Sequence, residues 1–385
     1  MLSSQTAAPE TAQDDTLQLI TAAGERVPNA TLDRWVTDVT PAELRAMHRD
    51  MVAVRRIDSE GMALQRQGQL ALWAPAQGQE GVQIGTAHAY RPDDFVFPSY
   101  REIGVNYVRG AKLVDFISVW RGEEHSSFNP YDINTATPQI IIGAQTLHAV
   151  GYAMGIQRDA LTAPEGAATD QVAITYFGDG ASSQGDVNEA MVFASSFQAP
   201  VVFVCTNNQW AISEPVTVQA KFPIAGRAPG FGIPSMRVDG NDALACLAAM
   251  REALHRARTG GGPSFIEAVT YRMGPHTTAD DPTRYRSKEE VDVWRRRDPI
   301  TRLETYLRSI GEFSEAHAAE VATFADETGA ALRAACLAHP TKSAIEVFDH
   351  VFEEPHSGIA RERAHFAAYL DGFAGDTAAA PEETR

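Results

Sequence analysis

The sequence of 385 residues is poor in cysteine, in positive charge and in long apolar runs. Its three cysteines, Cys205, Cys246 and Cys336, are far apart and form no Cys-x-x-Cys pair, which favours buried, reduced thiols over disulfides. With 33 basic against 50 acidic residues, the formal charge is −17. Because phosphate backbones bind basic surfaces, this balance argues against a nucleic-acid partner.

Membrane and export signals are also missing from the sequence. No apolar run approaches the roughly 18 residues that a membrane-spanning helix needs, so no membrane association is predicted. The first residues are polar and acidic and lack the basic start and apolar stretch of a secretory signal. We therefore expect a cytoplasmic protein. A glycine-rich dinucleotide fingerprint after a first strand is missing too, which argues against a generic nucleotide-binding protein.

An alternation of strand and helix patterns is present instead. Apolar runs at residues 172–177, 201–205 and 264–271 predict strands. A helix that Asp186 and Glu189 would cap is predicted after the first strand, and another over residues 242–258 precedes the third. This alternation predicts an α/β fold with a doubly wound, mostly parallel sheet flanked by helices.

Three regions are predicted along the chain. Residues 1–39 show no sustained apolar period and are expected to form a loosely ordered arm. Residues 40–340 are expected to form the α/β domain, which opens with a helix capped by Thr40 and Glu43. Residues 341–385 are predicted to form a helical tail.

Metal-binding side chains follow two neighbouring predicted strands. Asp179 comes directly after the first strand, and Asn208 follows the second. Carboxyl ends of parallel strands meet at one edge of a sheet, so the two side chains are expected to converge there. Magnesium prefers about six oxygen ligands, and a backbone oxygen near Trp210, diphosphate oxygens and water would complete the shell. The backbone amides of Gly178, Gly180 and Ala181 would approach the phosphates.

Further candidates lie on two loops. Arg272, Arg284 and Arg286 can pair with phosphate, and His276 can bind phosphate or move protons, although a solvated loop with incidental charges is the alternative. Tyr100 and Arg101 could offer a phenol and a guanidinium to phosphate, or make an ordinary surface contact.

Two upstream features leave alternatives open. His125 lies in a polar stretch where a lone histidine is commonly just solvated. Residues 138–145 precede a helix that carries Gly151 and Gly155, and these glycines permit close helix packing. That packing is either within the chain or against another subunit.

Taken together, these segments resemble the alpha subunit of the thiamine diphosphate-dependent first component of 2-oxo acid dehydrogenase complexes. The most specific pieces are RQGQLALWAPAQGQE, FPSYREIG, PQIIIGAQ, GDGASSQGD, NNQWAIS and GPHTTADDPTRYRS. The pyruvate and branched-chain members are the most similar. The resemblance covers the chain from about Glu43 to just past residue 300 and continues weakly through the tail.

The resemblance implies a role for each of these segments. Asp179, Asn208 and the carbonyl of Trp210 would bind magnesium. The diphosphate would be held by Tyr100, Arg101, Gly180, Ala181, Arg272 and His276. The backbone around Ile140 and Ile142 would meet the aminopyrimidine ring. His276 and His125 would face the reacting carbon and the lipoyl group. Tyr285 and Arg286 would belong to a loop that orders when the cofactor binds.

The same resemblance implies decarboxylation of a 2-oxo acid and transfer of the acyl unit to a lipoyl group on an acyltransferase core. In the family, a separate beta subunit supplies the glutamate that activates the cofactor, so an alpha₂beta₂ assembly is expected. Pyruvate and branched-chain acids both stay open as substrates. An acetoin-type subunit or an inactive scaffold of the same fold are the alternatives.

Overall fold

The computed structural model describes residues 16–122, 128–138, 140–164, 170–340 and 342–373. The chain divides into two compact units, Met1–Leu337 and Ala338–Arg385. The first contains the sheet and the candidate site.

A parallel sheet forms the centre of the first unit. In chain order the strands are β1 (Phe95–Phe97), β2 (Ala173–Gly178), β3 (Val201–Asn207), β4 (Trp210–Ala211), β5 (Glu214–Pro215), β6 (Ser235–Asp239) and β7 (Ser264–Val269). The main sheet has the order β1-β2-β3-β7-β6 with every pair parallel, whereas β4 and β5 form a small antiparallel pair. The predicted α/β fold with a mostly parallel sheet is confirmed.

Helices connect and cover these strands. They are α1 (Pro41–Arg66), α2 (Glu80–Ala87), α3 (Ile103–Val108), α4 (Asp115–Arg121), α5 (Ala144–Thr162), α6 (Gly185–Phe197), α7 (Val216–Gln219), α8 (Ala243–Arg258), α9 (Lys288–Arg295), α10 (Pro299–Ser309), α11 (Glu315–Ala338) and α12 (Ser357–Asp371). Short 3-10 turns lie at Asp33–Trp35, Ala181–Ser183, Ile224–Phe231, Pro282–Arg284 and Ala344–Phe348. Within the described ranges, no helix is both long and apolar enough to cross a membrane.

Each face of the sheet carries its own apolar core. Successive strand residues point to opposite faces, so Ile174 and Tyr176 join the core that contains α1, α2 and α8. Ala173 and Phe177 join the core formed with α5 and α6. Because both faces are covered, the central strands are apolar along nearly their whole length, as a parallel sheet requires.

Residues 16–39 differ from the loosely ordered arm that the sequence suggests. Leu19, Ile20 and Leu32 are fully buried, and Leu17 bridges to Val238 on β6. Asp242, which caps α8, accepts the backbone N–H groups of Leu19 and Ile20 at 2.6 Å each. A few apolar residues, separated by turns, anchor this segment. Because their spacing has neither a helical nor a strand period, the sequence pattern does not reveal them.

The helix starts agree only partly with the capping patterns. Thr40 and Glu43 form the expected reciprocal capping box at the start of α1, with N–H to oxygen distances of 3.3 and 2.7 Å. The cap expected from Asp186 and Glu189 is wrong, because α6 begins at Gly185 without a side-chain cap. The 3-10 turn at Ala181–Ser183 directly precedes α6 and leads the backbone into it.

Candidate active site

The turns that follow β2, β3 and β7 meet at one edge of the sheet. Gly178 at the end of β2 pairs in register with Thr206, and Asn207 at the end of β3 pairs with Val269. A cavity of about 270 Å³ opens there, which we call the edge cavity. Ligands of open parallel sheets bind at this position.

Most of the predicted site residues line the edge cavity. These are Tyr100, Arg101, Ile142, Gly178, Asp179, Gly180, Ala181, Asn208, Trp210, Arg272 and His276. Ile140, Tyr285 and Arg286 are not among the residues lining it. His125 lies outside the described residues. The loop arginine Arg284 is likewise not part of the lining.

Asp179 is a buried carboxylate with an unused oxygen. Its Oδ2 has no hydrogen-bond partner among the described residues. Burial raises the pKa of Asp179 to about 6, against the opposing effects of its own backbone N–H, the Arg272 guanidinium and the backbone N–H of Asn208. A buried carboxylate is costly unless it is paired or coordinates a metal, so this oxygen is suited to a cation.

Asn208 and Trp210 present neutral oxygens at the same edge. The Nδ2 of Asn208 donates to Oε1 of Gln79 at 3.2 Å, and this bond fixes the orientation of the amide. Its Oδ1 accepts the backbone N–H of Trp210 at 3.3 Å. The carbonyl of Trp210 accepts Nη1 of Arg272 at 3.0 Å and retains a second lone pair.

No clusters of three or more His, Cys, Asp or Glu side chains suited to a metal occur in the described part of the chain. A metal at this edge would therefore bind neutral oxygens alongside Asp179. Magnesium accepts such a set when phosphate and water oxygens complete its shell.

The turn after β2 brings backbone close to the edge cavity. A Cβ atom on Gly180 would lie 2.8 Å from the Cβ of Ala211, so only glycine fits against the β4 strand there. Ala181 then opens the 3-10 turn that leads to α6. N–H groups near a helix start are favourable neighbours for an anion.

Two buried guanidinium groups supply positive charge. Arg272 is fully buried, and its Nη2 donates to the carbonyl of Ile212 and to the hydroxyl of Tyr285, both at 2.8 Å. Burial and the nearby charge of Arg101 lower the pKa of Arg272. Arg101 is held by the carbonyl of Pro75, which accepts its Nη1 at 2.6 Å. Two cations this close are stabilised by a bound anion.

His276 lies between these guanidinium groups. Its Nδ1 is 3.2 Å from Nη2 of Arg101 and 3.4 Å from Nη1 of Arg272. A guanidinium only donates, so Nδ1 accepts and the ring proton resides on Nε2. Burial, followed by the charges of Arg101 and Arg272, lowers the pKa of His276 to about 4. His276 is therefore a neutral hydrogen-bond donor near pH 7.

Tyr285 and Arg286 brace the loop that carries His276. The Tyr285 hydroxyl donates to Oδ2 of Asp280 at 2.5 Å, and the same oxygen accepts the backbone N–H of His276 at 2.7 Å. Arg286 donates to the carbonyls of Arg272, Met273 and Gly274. These contacts place both residues behind the cavity wall, where they act on loop shape.

An apolar ridge stands beside the edge cavity. Ile140, Ile141 and Ile142 are 62%, 72% and 41% exposed, and we call them the isoleucine ridge. Ile212 also lines the cavity, is 55% exposed and has a φ angle of 57°. Such a conformation is rare for a β-branched residue and costs about 1–3 kcal/mol. Large exposed apolar side chains in one place indicate an interaction surface.

Sequence reasoning missed several polar residues of the cavity. Gln79, Glu102, Gln145 and Thr206 line it, and Gln79, Gln145 and Thr206 each have a buried polar atom without a hydrogen-bond partner in the described structure. Burial raises the pKa of Glu102, whose Oε2 accepts the N–H of Ser99 at 2.7 Å. Each of the four lies within or next to a motif segment, but only the fold shows which way its side chain turns.

A family model supports the interpretation of these motifs. Residues 48–335 match the family described as "Dehydrogenase E1 component". This range contains every residue that lines the edge cavity.

Curated relatives cover most of the chain. The 3-methyl-2-oxobutanoate dehydrogenase subunit alpha of Mycobacterium tuberculosis H37Rv is 47% identical over 338 residues, which is 88% of this chain and 90% of the relative. The pyruvate dehydrogenase E1 component subunit alpha of Bacillus subtilis is 40% identical over 346 residues, or 89% and 90% of the two chains. The corresponding Acholeplasma laidlawii subunit is 39% identical over 335 residues, or 86% and 94%.

Proposed function

The chain belongs to the dehydrogenase E1 component family, and from this we propose that it is the alpha subunit of a thiamine diphosphate-dependent 2-oxo acid dehydrogenase. In this role it decarboxylates a 2-oxo acid and passes the acyl unit to the lipoyl group of an acyltransferase component. The observation that carries the proposal is the buried Asp179, whose free oxygen shares one cavity with Asn208, Trp210 and two guanidinium groups.

The donor set fits a magnesium diphosphate. We propose that Asp179, the amide oxygen of Asn208 and the carbonyl of Trp210 hold the magnesium ion. One carboxylate with two neutral oxygens leaves room for phosphate and water ligands, which magnesium prefers to keep. The unpaired Oδ2 of Asp179 supports this, because a metal would remove the cost of its burial.

The cations and amides fit the diphosphate itself. Arg101, Arg272 and the N–H groups around Gly180 supply donors, and Tyr100 adds a hydroxyl in the same cavity. Burial and then repulsion from Arg101 lower the pKa of Arg272, and bound phosphate would relieve that repulsion. Tyr285 and Arg286 contribute by holding the loop that carries Arg272 and His276.

Thiamine diphosphate, when bound, supplies an electron sink for the pair left behind as carbon dioxide departs. The protein's own task is orientation and electrostatics. His276 is neutral with its proton on Nε2, so it donates a hydrogen bond from Nε2 to a developing negative oxygen and returns to its resting state without a charge change. His276 is half-buried beside the fully buried Arg272, and the low local dielectric there strengthens such a bond.

A beta subunit completes the site in this proposal. The carboxylates lining the described part of the cavity are Asp179 and Glu102, and the latter is occupied by Ser99. We propose that the acid that activates the aminopyrimidine comes from the beta subunit, as the resemblance to the family implies. The isoleucine ridge and Ile212 border the cavity and are exposed, which suits an apolar partner surface. We propose an alpha₂beta₂ assembly that docks on a lipoyl-bearing acyltransferase core.

Branched-chain 2-oxo acids are the favoured substrates. Identity to the mycobacterial 3-methyl-2-oxobutanoate subunit is 47%, against 40% to the Bacillus subtilis pyruvate subunit over a similar length. Pyruvate is the second candidate, because one or two methyl groups change preference by only about 1–3 kcal/mol.

The test is co-expression of this chain with its beta subunit. Decarboxylation of 3-methyl-2-oxobutanoate, pyruvate and acetoin would be compared with thiamine diphosphate and Mg²⁺ present or omitted. We expect the branched-chain acid to give the highest kcat/KM and each omission to abolish turnover. Highest activity on acetoin would replace the proposal by an acetoin-type enzyme. No activity on any substrate, even with thiamine diphosphate and Mg²⁺ present, would indicate a scaffold.

A further inference from the structure

One buried carboxylate in the sheet has no role in the mechanism above. Glu267 lies in the middle of β7 among Phe265, Ile266 and Ala268, and it is completely buried. A charged group in the centre of an apolar strand is costly unless hydrogen bonds satisfy it. Its partners therefore indicate what it contributes.

Glu267 uses both oxygens on neighbouring elements. Its Oε1 accepts Nδ2 of Asn207 at 2.7 Å, and its Oε2 accepts the backbone N–H of Ala225 at 2.8 Å. Nε of Arg237 on β6 lies 3.5 Å from Oε2 and offsets the negative charge. The carboxylate thus connects the end of β3 to the segment before β6.

Asn207 in turn shapes the turn that carries the metal-binding groups. Its Oδ1 accepts the backbone N–H of Gln209 at 3.2 Å and the side-chain Nε2 of Gln209 at 3.0 Å. Gln209 has a φ angle of 73°, which a non-glycine residue adopts only when its surroundings hold it. Gln209 lies between Asn208 and Trp210, and both of these line the edge cavity together with Asp179.

We propose that Glu267 is a positioning residue for the metal site, acting through Asn207 to hold the turn at Gln209 in its left-handed conformation. This inference rests on the proposed function, because it assigns Asn208 and Trp210 to magnesium. Groups that orient metal ligands typically change metal affinity about 10- to 100-fold when removed.

The first variant is Glu267→Gln in the assembled enzyme. A carboxylate accepts at both oxygens, whereas an amide accepts at one end and donates at the other. Either orientation of the new amide places a donor against the N–H of Asn207 or of Ala225. We expect the Mg²⁺ dissociation constant, measured by calorimetry at saturating thiamine diphosphate, to rise about 10- to 100-fold. At saturating Mg²⁺, kcat should stay near the wild-type value.

An exchange variant tests the coupling directly. In Glu267→Gln combined with Asn207→Asp, the introduced amide can donate to the introduced carboxylate and still accept from Ala225. The carboxylate at position 207 can also accept both N–H groups of Gln209. We expect the double variant to regain most of the Mg²⁺ affinity. Failure of the exchange to improve on Glu267→Gln would overturn the proposal.

Asp94→Asn is the matched control. Asp94 is also a fully buried carboxylate that accepts backbone N–H groups and faces one arginine, but it precedes β1 at the other end of the sheet. We expect it to lower thermal stability without changing Mg²⁺ affinity. Equal loss of affinity in both variants would show a general structural effect and overturn the proposal.

Two outcomes separate this inference from the proposed function. If the wild-type assembly binds no Mg²⁺ with thiamine diphosphate, the proposed function fails. If the wild type binds and Glu267→Gln binds within about twofold of it, only the positioning role fails. Should Glu267→Gln not assemble, Asn207→Ala removes the same bond while Oε2 of Glu267 still accepts the backbone N–H of Ala225. Unchanged affinity in that variant would also reject the role.

Discussion

Each end of the central sheet contains a buried aspartate, and the two aspartates differ in how many of their oxygens have hydrogen-bond partners. Asp94, at the amino end, accepts N–H groups from Arg91 and Val172 and pairs with Arg258 at 2.6 Å. Asp179, at the carboxyl end, keeps one oxygen without a partner among the described residues. A complete set of partners marks a structural carboxylate. The incomplete set of partners at Asp179, beside a cavity, fits the metal ligand proposed for it.

Two histidines extend the same comparison. His48 on α1 and His276 both have their pKa lowered to about 4. Burial is the main cause for each, but His48 has no hydrogen bond to either ring nitrogen in the described structure, whereas two arginines contact His276. A lowered pKa therefore does not identify a functional site unless hydrogen-bonding partners and a cavity accompany it.

The largest contrast is expected from the two aspartates. In the assembled enzyme, Asp179→Ala removes the proposed metal carboxylate and should abolish Mg²⁺-dependent binding of thiamine diphosphate, as measured by calorimetry. Asp94→Asn should retain that binding while its melting temperature falls. Unchanged affinity in Asp179→Ala would remove Asp179 from the metal site.

The two histidines should differ next. His276→Ala is expected to lower overall activity by about 100-fold or more, because a positioned hydrogen-bond donor or proton-transfer group contributes about that factor. Thermal unfolding should show an intact fold. His48 packs against Phe313, and a phenylalanine at position 48 can keep this contact. The His48→Phe variant should therefore keep its activity. Near-normal turnover by His276→Ala would exclude His276 from the reaction.

Arginines at the two ends give a smaller contrast. Arg272→Lys keeps the charge but cannot reach the carbonyls of Trp210 and Ile212 together. We expect the dissociation constant of thiamine diphosphate to rise about tenfold, since one hydrogen bond to a charged group contributes about 1.5–3 kcal/mol. Arg258→Lys, beside Asp94, should leave this constant unchanged. Equal constants in both variants would contradict the assignment of Arg272 to the diphosphate.

The smallest effect concerns stability and pH. His48 is neutral in the folded state down to a pKa of about 4, whereas its unfolded pKa is 6.5. The unfolded chain therefore binds more protons between these values. The contribution of His48 to the free energy of unfolding is fully present above pH 6.5 and is lost as the pH drops toward 4. Between pH 8 and 5.5 the loss from His48 is about 1 kcal/mol. Thermal unfolding of His48→Phe should show a flatter pH profile, and an unchanged slope would reject this origin.

The sheet and its cavity were predictable because they depend on local patterns. Apolar runs marked β2, β3 and β7, and parallel pairing then required Asp179 and Asn208 to share an edge. The three residues of β1 and the half-buried start of β6 carry too little pattern to be recognised. The buried segment around Leu19 was missed because its contacts are with residues more than 200 positions away.

The sequence indicates which residue types line the candidate site, but it does not indicate how they are hydrogen-bonded to one another. Arg272 and Arg286 look alike in sequence, yet one faces the cavity and the other holds carbonyl groups behind it. Gln79 and Asp280 carry no signal of their own, because their roles depend on Asn208 and His276 in three dimensions. The direction in which a side chain points can be seen only in the folded structure.

The isoleucine ridge has a practical consequence for production of the protein. Three consecutive large aliphatic side chains in water favour self-association of newly made chains. The yield of soluble material should then follow the supply of the second subunit during synthesis, and a chain expressed by itself should need Ile141→Lys or a similar change to stay dispersed.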